Sequence, residues 1–378
     1  MNLQPYLQLM SEQQASDMYF TTGAPVSVRI EGLMRPVGKS MLNPGMTKKL
    51  AYDLLTPAQI KEFERNLELN LGVSYTGLGR FRINIYLQRG EVSMVIRYIQ
   101  ADIPGIDDLG LPEVYKTMIM RKKGLILVVG SSGMGKSTSL ASMLDHRNMT
   151  EHGHILTIED PIEFMFRHKK CIVSQREVGL DTLSFDNALR EAMREAPDVI
   201  MIGESRDRET MEAALRYADT GHLCLTTLHA TNAYQTLDRM LNFFPADAHN
   251  QVLMDLSLNL NCIMAQRLVK AEDGSRVAAI EVMINTPYIS KLIRDGNFHE
   301  IKDIMEKGSD TGMKTFDMSL LELFNAGKIN LKSALANADS SSELEWKINF
   351  GGDLKETQGE ENTNETLEFP DSSAEAEK

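Results

Sequence analysis

The fold is decided by residues 125–138, which read LILVVGSSGMGKST. The first five residues form an unbroken apolar run, as a strand covered on both faces requires. The next nine satisfy the pattern G-x-x-x-x-G-K-[ST] between this predicted strand and a predicted helix. The strand–loop–helix order favours a phosphate-binding loop over a purely structural glycine turn, and it predicts an α/β nucleotide-binding domain.

Each position of this loop has a chemical reason. The glycines let backbone N–H groups turn inward around phosphate oxygens. Lys136 supplies a positive charge to the terminal phosphates, and Ser137 offers a hydroxyl to Mg²⁺. The residues expected to contact the nucleotide are Gly130, Ser131, Ser132, Gly133, Met134, Gly135, Lys136, Ser137 and Thr138.

Further apolar runs outward from the loop predict the rest of the sheet. Residues 155–158, 199–202 and 223–226 are short apolar segments that alternate with longer segments of helical periodicity. This alternation predicts a parallel, doubly wound sheet. Residues 246–336 read as mostly helical.

Acidic residues follow two of these runs. Glu163 lies in the segment EDPIEF at 159–164, and Glu204 follows residues 199–202. The carboxyl ends of parallel strands face the ligand crevice, so both carboxylates can reach the phosphates, although an acid at a strand end is often only solvated. One is needed near Mg²⁺ and one to orient the attacking water, and the two could share or exchange these roles.

Two histidines flank the predicted strand at 223–226. His229 follows the strand, which favours a role at the phosphates, whereas His222 precedes it and could brace the loop.

Three arginines precede the nucleotide-binding domain. Arg80 and Arg82 have a spacing of two and therefore lie on one face of a strand, with Arg97 nearby. The simpler interpretation is that these arginines are solvent-exposed strand residues with no role in the site. A phosphate loop with a single lysine, however, leaves transition-state charge uncompensated, and an arginine from another domain or subunit is the usual remedy.

The organisation of the chain follows from periodicity and composition. Residues 1–100 combine alternating segments, such as 26–30 and 81–86, with two short helical segments, and they predict a small α/β domain. Residues 101–338 form the nucleotide-binding domain with its helical C-terminal part. Residues 339–378 hold twelve Asp/Glu and three Lys and predict an acidic disordered tail.

Charge and composition exclude several classes of protein. The 378 residues carry a net charge of -13, of which -9 lies in the predicted tail, and this balance argues against nucleic acid as a partner. No apolar run approaches the length of a membrane span, and the N-terminus lacks the features of a signal peptide, so we expect a cytoplasmic protein. The three cysteines lack metal-ligand spacing and are interpreted as core residues.

Taken together, these motifs resemble a known family. The phosphate loop and three further segments are similar to the Walker A, Asp box, Walker B and His box of the secretion ATPase superfamily; the three are EDPIEF at 159–164, AMREAPDVIMIGESRD at 192–207 and TGHLCLTTLHAT at 220–231. Four more resemble the type IV pilus retraction ATPases, the PilT/PilU group: GRFRINIY at 79–86, SQREVG at 174–179, VAAIEVMI at 277–284 and PYISKLIRDGN at 287–297.

Within that group the chain resembles the PilU branch more than the PilT branch. Ala196 stands where PilT-like proteins usually have Asp, the segment at 287–297 departs from the PilT pattern AIRNLIRE, and the acidic tail is a PilU-like extension.

The resemblance implies an architecture and a set of roles. It implies a PAS-like domain at 1–100, a RecA-like ATPase domain at 101–338, and a homohexameric cytoplasmic ring at the inner-membrane base of the pilus. It further implies that Glu163 orients water as general base, that Glu204 holds Mg²⁺, and that His229 senses the γ-phosphate. Arg82 and Arg97 match arginines of the family that reach the nucleotide.

The expected function is therefore an ATP- and Mg²⁺-dependent motor that powers pilus retraction with a PilT-like paralogue and acts on a PilC-like platform protein. The alternative is an accessory ATP-binding protein that docks on the PilT ring and assists retraction without essential turnover of its own. A nucleic-acid translocase is a distant third, disfavoured by the charge balance.

Overall fold

The computed structural model describes residues 3–30, 32–99, 101–308 and 311–350, and it is a mixed α/β structure, as predicted. Contacts divide the described residues into two compact units, those within 1–268 and 278–315 and those within 269–277 and 316–350. The first unit contains a six-stranded and a seven-stranded sheet. None of the helices in the described residues is both long and apolar enough to cross a membrane.

The six-stranded sheet is antiparallel at every neighbouring pair and has the order β3-β2-β1-β6-β5-β4. Its strands are β1 (Asp17–Phe20), β2 (Pro25–Ile30), β3 (Leu33–Met41), β4 (Glu68–Tyr75), β5 (Gly79–Gln88) and β6 (Glu91–Ile99). The helices of this part are α1 (Gln4–Glu12), α2 (Met46–Tyr52) and α3 (Pro57–Asn66).

Alternation along β5 decides which side chains this sheet presents. Phe81, Ile83 and Ile85 are fully buried in the core on one face. Because successive strand residues point to opposite faces, Arg80 and Arg82 lie together on the other face, as their spacing predicts. The buried face thus fixes where the two guanidinium groups emerge.

The seven-stranded sheet has the order β13-β12-β7-β11-β10-β8-β9, and its pairs from β12 to β9 are parallel. Its strands are β7 (Gly124–Val129), β8 (Gly153–Glu159), β9 (Cys171–Glu177), β10 (Val199–Ile202), β11 (Leu223–Leu228), β12 (Leu260–Lys270) and β13 (Arg276–Ile284). The helices that accompany it are α4 (Val114–Ile119), α5 (Lys136–Thr150), α6 (Phe185–Ala192), α7 (Arg208–Asp219), α8 (Ala233–Leu241), α9 (His249–Asn259), α10 (Pro287–Arg294) and α11 (Ile301–Lys307).

The predicted strands of this sheet are present, and three others were not predicted. The apolar runs correspond to β7, β8, β10 and β11, and every residue of β7 and β11 is buried. The prediction that residues 246–336 are mostly helical is wrong for β12 and β13. Short apolar runs fit a buried strand and a buried helix equally well, which is why β12 escapes detection after α9.

The three cysteines lie in the interior of the first unit. Cys171, Cys224 and Cys262 are buried and unpaired, and burial raises the pKa of each thiol. They act as small core residues of β9, β11 and β12.

Up to residue 350, where the described part of the chain ends, the second unit contains three helices, α12 (Phe316–Asn325), α13 (Leu331–Asn337) and α14 (Ser341–Phe350). Helix α14 packs against both other helices and buries Leu344 completely. The prediction that the acidic tail is disordered from residue 339 is therefore wrong for these ten residues. The remainder of the predicted tail, 351–378, lies outside the described residues.

Leu344→Ala should destabilise the second unit, because it removes fully buried side-chain volume that α12 and α13 cannot refill. We expect a loss of about 2–4 kcal/mol. Thermal unfolding and hydrogen exchange of the α14 amides measure it. Leu331→Ala is the matched control, since Leu331 is 38% exposed and should change stability by less than about 0.5 kcal/mol. Equal stability of the two variants would contradict the packing of α14.

Candidate functional site

The glycine-rich loop between β7 and α5 is packed closely against β12. A side-chain carbon at Gly130 would lie 2.6 Å from the backbone carbonyl oxygen of Gln266. One at Gly135 would lie 2.9 Å from the side-chain amide nitrogen of Gln266. Gly135 also has a φ of 81°, in the left-handed region that favours glycine. The Gln266 side chain accepts a hydrogen bond from Ser139 of α5 at 2.8 Å. Gln266 of β12, which is not part of the sequence motif, therefore packs against the loop and fixes its position.

Lys136 is the first residue of α5, and its side chain is largely buried. Its ammonium group donates hydrogen bonds to the carbonyl oxygens of Gly130 at 2.8 Å and Ser131 at 3.0 Å. Burial lowers the pKa of Lys136, while the charges of Glu204 and Glu163 act to raise it. The structure therefore brings these two carboxylates, from two other strands, close enough to interact with the lysine.

Glu204 follows β10, and each of its carboxylate oxygens has a close partner. Its Oε1 lies 3.1 Å from Nε2 of His229, and its Oε2 accepts a hydrogen bond from Nε of Arg206 at 2.8 Å. Arg206 is a neighbour that sequence reasoning missed. The Glu204–His229 contact joins the ends of two adjacent parallel strands, β10 and β11.

The backbone around Glu204 is fixed by β11. The Thr227 hydroxyl donates to the carbonyl oxygen of Gly203 at 2.8 Å, and the N–H of Ser205 donates to the carbonyl of Thr227 at 3.0 Å. Asp207 then caps α7 by accepting from the N–H of Thr210 at 2.9 Å, which ends the loop. Glu204 thus lies on a short loop held at both ends.

The two histidines lie at opposite ends of β11. His229 lies at the carboxyl end with its side chain 41% exposed, beside Glu204. His222 lies at the other end, where Nδ1 is 3.2 Å from the Thr220 hydroxyl and the ring packs edge-on against Tyr217. The structure places His229 with the other candidates and gives His222 the bracing position.

The segment that carries Glu163 is held by side chains of β8 and β9. The backbone N–H of Ile162 acts to lower the pKa of Glu177, and that of Glu163 acts to lower the pKa of Glu159, so both amides lie near buried carboxyl groups. Gln175 donates to the carbonyl of Phe164 at 2.9 Å. Buried side chains of β8 and β9 therefore lie along this backbone, while the Glu163 side chain itself is exposed.

These supporting residues were missed by sequence reasoning, although a signal exists. Gln175 and Glu177 have a spacing of two, so they share a face of β9. Glu177 is also the register partner of Glu159 on β8. A prediction of β9 beside β8 would have found them.

Glu159 is a buried carboxyl group with unusual acidity. It is 7% exposed, and its Oε1 accepts hydrogen bonds from the Thr157 hydroxyl at 2.6 Å and from Gln175 at 3.2 Å. Burial raises its pKa to about 7, although these hydrogen bonds and the Glu163 amide act to lower it. The proton therefore stays on this group over much of the acidic and neutral range.

The N-terminal arginines divide between two carboxylates. Nε of Arg82 lies 3.6 Å from Oε1 of Glu177, and Nη2 of Arg80 lies 3.9 Å from its Oε2. Arg97 instead donates from Nε to Asp17 at 2.8 Å, within the six-stranded sheet. The structure thus brings Arg82 to Glu177 at the carboxyl end of β9, beside β8, and it does not bring Arg97 there.

Known proteins resemble this chain over most of its length. A family model described as Type II/IV secretion system protein matches residues 2–316. The type IV pilus ATPase PilU of Pseudomonas aeruginosa is 49% identical over 354 residues, which are 93% of this chain and 93% of that protein. The type IV pilus retraction ATPase PilT of the same organism is 42% identical over 338 residues, which are 89% of this chain and 98% of that protein.

A solved structure supports the same relationship. The crystal structure of the pilus retraction motor PilT with bound ADP matches with a TM-score of 0.85 at 42% identity, and the match covers 91% of this chain and 99% of that one.

Glu159→Gln should flatten the pH dependence of stability. The pKa of Glu159 is about 7 in the folded protein, whereas its ordinary value, which applies to the unfolded chain, is 4.5. The stability that protonated Glu159 confers is therefore complete below pH 4.5, and it is lost as the pH rises through 7. The wild-type protein should lose on the order of 2 kcal/mol from this group between pH 5 and 8. The glutamine variant keeps the acceptor oxygen and titrates no proton there.

Thermal unfolding at several pH values between 5 and 8 measures this difference. Glu151→Gln is the control, because Glu151 is exposed and should keep the wild-type slope. A slope that Glu159→Gln leaves unchanged would show that the proton on Glu159 is not the source.

Proposed function

Because this chain belongs to the Type II/IV secretion system protein family, we propose that it is a hexameric motor that retracts type IV pili. Within that family it belongs to the type IV pilus retraction ATPases of the PilT/PilU group, which confirms the resemblance of its motifs, and it is an ATPase. The proposed output is pilus retraction and hence twitching motility, in cooperation with a PilT-like paralogue.

The observation that carries the proposal is the assembly of one charged site from residues that follow four parallel strands. Lys136 after β7, Glu204 after β10 and Glu163 after β8 interact electrostatically, and His229 after β11 contacts Glu204. All four lie at the carboxyl edge of the parallel sheet, where ligands of such sheets bind. A chain that only bound Mg²⁺ and nucleotide would need one acid near the ion, but it would not need a second acid to act on water.

Each residue has a proposed role in hydrolysis of the terminal phosphate. Lys136 places its charge on the β- and γ-phosphate oxygens, and Glu163 accepts the proton of the attacking water as general base. Exposure of the Glu163 side chain on a fixed backbone suits this role. His229 senses the γ-phosphate by contacting it. The 3.1 Å contact between His229 and Glu204 couples Glu204 to the presence of that phosphate.

Mg²⁺ fits the donor set at this edge. The Ser137 hydroxyl at the start of α5 and the Glu204 carboxylate are hard oxygen ligands, and Mg²⁺ is usually bound by one or two carboxylates together with substrate phosphates. Ser137 and Glu204 would hold the ion, which supplies charge neutralisation on the phosphate oxygens.

The proposed architecture follows from the resemblance of the motifs. We assign the six-stranded sheet domain, residues 1–100, to the PAS-like domain and residues 101–338 to the RecA-like ATPase domain. Within the acidic segment 339–378, helix α14 packs on α12 and α13 and joins the helical C-terminal part. Six copies form a ring at the cytoplasmic face of the inner membrane, where domain movement is passed to a PilC-like platform protein. Nucleic acid is not a partner in this proposal, in keeping with the net charge of -13.

The position of Ala196 in the fold argues against the accessory alternative. This departure from PilT-like sequences lies just before β10, at the edge of the sheet opposite the phosphate loop. Ala196 is exposed and has a φ of 49°, so it affects a turn rather than the site. The residues needed for hydrolysis are all present.

Lys136→Ala should abolish ATP turnover, because the γ-phosphate charge then lacks its cation. We expect a fall in kcat of at least about a hundredfold. Phosphate release by the purified full-length protein measures it. Lys122→Ala is the control, since Lys122 is exposed and precedes β7 at the opposite edge of the sheet. Undiminished turnover in Lys136→Ala would refute the site.

The same variant separates the motor from the accessory protein. In cells that contain an active PilT-like paralogue, the motor predicts that Lys136→Ala slows or weakens pilus retraction. Retraction speed and force of single pili measure this. Full retention of both would favour the accessory protein, since binding without turnover would then suffice.

A further inference from the structure

Glu177, the last residue of β9, is a buried carboxylate to which no role has so far been given. Its side chain is 3% exposed and lies within 3.6 Å of Arg82 and 3.9 Å of Arg80. The backbone N–H of Ile162, the residue before Glu163, acts to lower the pKa of the same carboxylate, which places this amide nearby. One group therefore lies beside both the arginines of the six-stranded sheet and the segment of the proposed general base.

Space on β4 allows the arginines to reach this carboxylate. Gly72 is the register partner of Arg82, and a side-chain carbon there would lie 2.7 Å from Nη2 of Arg80. It would also lie 3.3 Å from Cδ1 of Leu180, in the turn after Glu177. The missing side chain at Gly72 thus leaves room for Arg80 and for the turn from β9.

The backbone of Glu177 is as firmly held as its side chain. Its N–H donates to the Asp181 carboxylate at 3.0 Å, and its carbonyl accepts from the Asp181 N–H at 2.8 Å. The next residue, Val178, donates to the carbonyl of Glu159 at 2.8 Å. The amide of Glu163 acts to lower the pKa of Glu159 and so lies near its side chain, and Glu159 thereby connects Glu177 with the segment of Glu163.

We propose that Glu177 is a positioning residue for ATP hydrolysis, which holds Arg80 and Arg82 of the N-terminal domain against the segment that carries Glu163. The inference rests on the proposed function, because it needs Glu163 to act on the attacking water. Its consequence is that the placement of the arginines and of Glu163 depends on one carboxylate. A displaced N-terminal domain withdraws the arginines and releases Glu163 together.

Two properties of Glu177 can be separated by substitution. The arginines need its negative charge, whereas the Ile162 amide needs only an acceptor oxygen. Glu177→Gln keeps the acceptor and the shape and removes the charge. Arg82→Gln removes the partner charge and leaves Glu177 intact.

Steady-state ATP hydrolysis by the full-length protein tests the proposal. We expect Glu177→Gln to lower kcat by about tenfold or more and to change KM for ATP by less than about twofold, since the phosphate loop is untouched. Arg82→Gln should have a similar effect. The double variant should be no slower than the slower single variant, because the two residues act as one unit.

Glu195→Gln is the matched control. Glu195 pairs with Arg176, the residue before Glu177 on β9, at 2.7 Å, so this variant breaks a neighbouring ion pair without touching Glu177. It should keep the wild-type kcat. If Glu177→Gln does not yield folded protein, Glu177→Asp, which keeps the charge and draws it back by one methylene, replaces it with the same expectation.

Wild-type kcat in the Glu177 variant, or effects of the two substitutions that multiply fully in the double variant, would overturn the inference. So would a drop in kcat of the same size in Glu195→Gln. Absence of turnover by the wild-type protein would instead refute the proposed function, so the two failures are distinguishable.

Discussion

A buried ammonium group, that of Lys136, is the constraint on which the site depends. An ion removed from water must be paired or hydrogen bonded. The loop supplies the carbonyl groups of Gly130 and Ser131, and the charges come from Glu163 and Glu204. These groups follow β7, β8 and β10 along the chain, so the lysine can be satisfied only if the strand order brings the ends of those strands within reach at one edge. The sheet order β7-β11-β10-β8 does so, and β7, β11 and β10 are buried at every residue.

The acidic side of the site obeys the opposite constraint. Glu159 and Glu177 are register partners, and both are buried, so two negative charges at this point would repel each other in a poorly solvated place. Burial raises the pKa of both, to about 7 for Glu159, while Arg82 and Arg80 oppose the rise for Glu177. The pair thus divides its roles, with a carboxyl that tends to keep its proton on β8 and a carboxylate stabilised by arginine on β9. Backbone amides from the segment of Glu163 act to lower the pKa of both, while the Glu163 side chain itself faces solvent.

The central strands and the phosphate loop could be predicted because their signals are local. Unbroken apolar runs mark β7 and β10, and the acids and His229 follow at fixed positions along the chain. What escaped prediction depends on neighbours distant in sequence. The sequence of β9 is CIVSQRE, and its second half is polar. The segment therefore does not look like a buried strand unless its pairing with β8 is known. Composition averaged over the forty residues from 339 conceals Leu344, whose burial comes from α12 and α13.

The separation of Arg82 from Arg97 follows from one row of the six-stranded sheet. Arg29, Asp17, Arg97 and Arg82 are successive register partners across β2, β1, β6 and β5, so their side chains share a face. Asp17 lies 2.8 Å from Arg97 and 3.9 Å from Arg29 and serves both. Arg82, next in the row, pairs instead with Glu177 of the other sheet. The position of one carboxylate within the row therefore decides which guanidinium group faces the nucleotide edge. The electrostatic potential at this edge of the sheet therefore depends on the charges in this row. It cannot be read from the net charge of -13 for the whole chain.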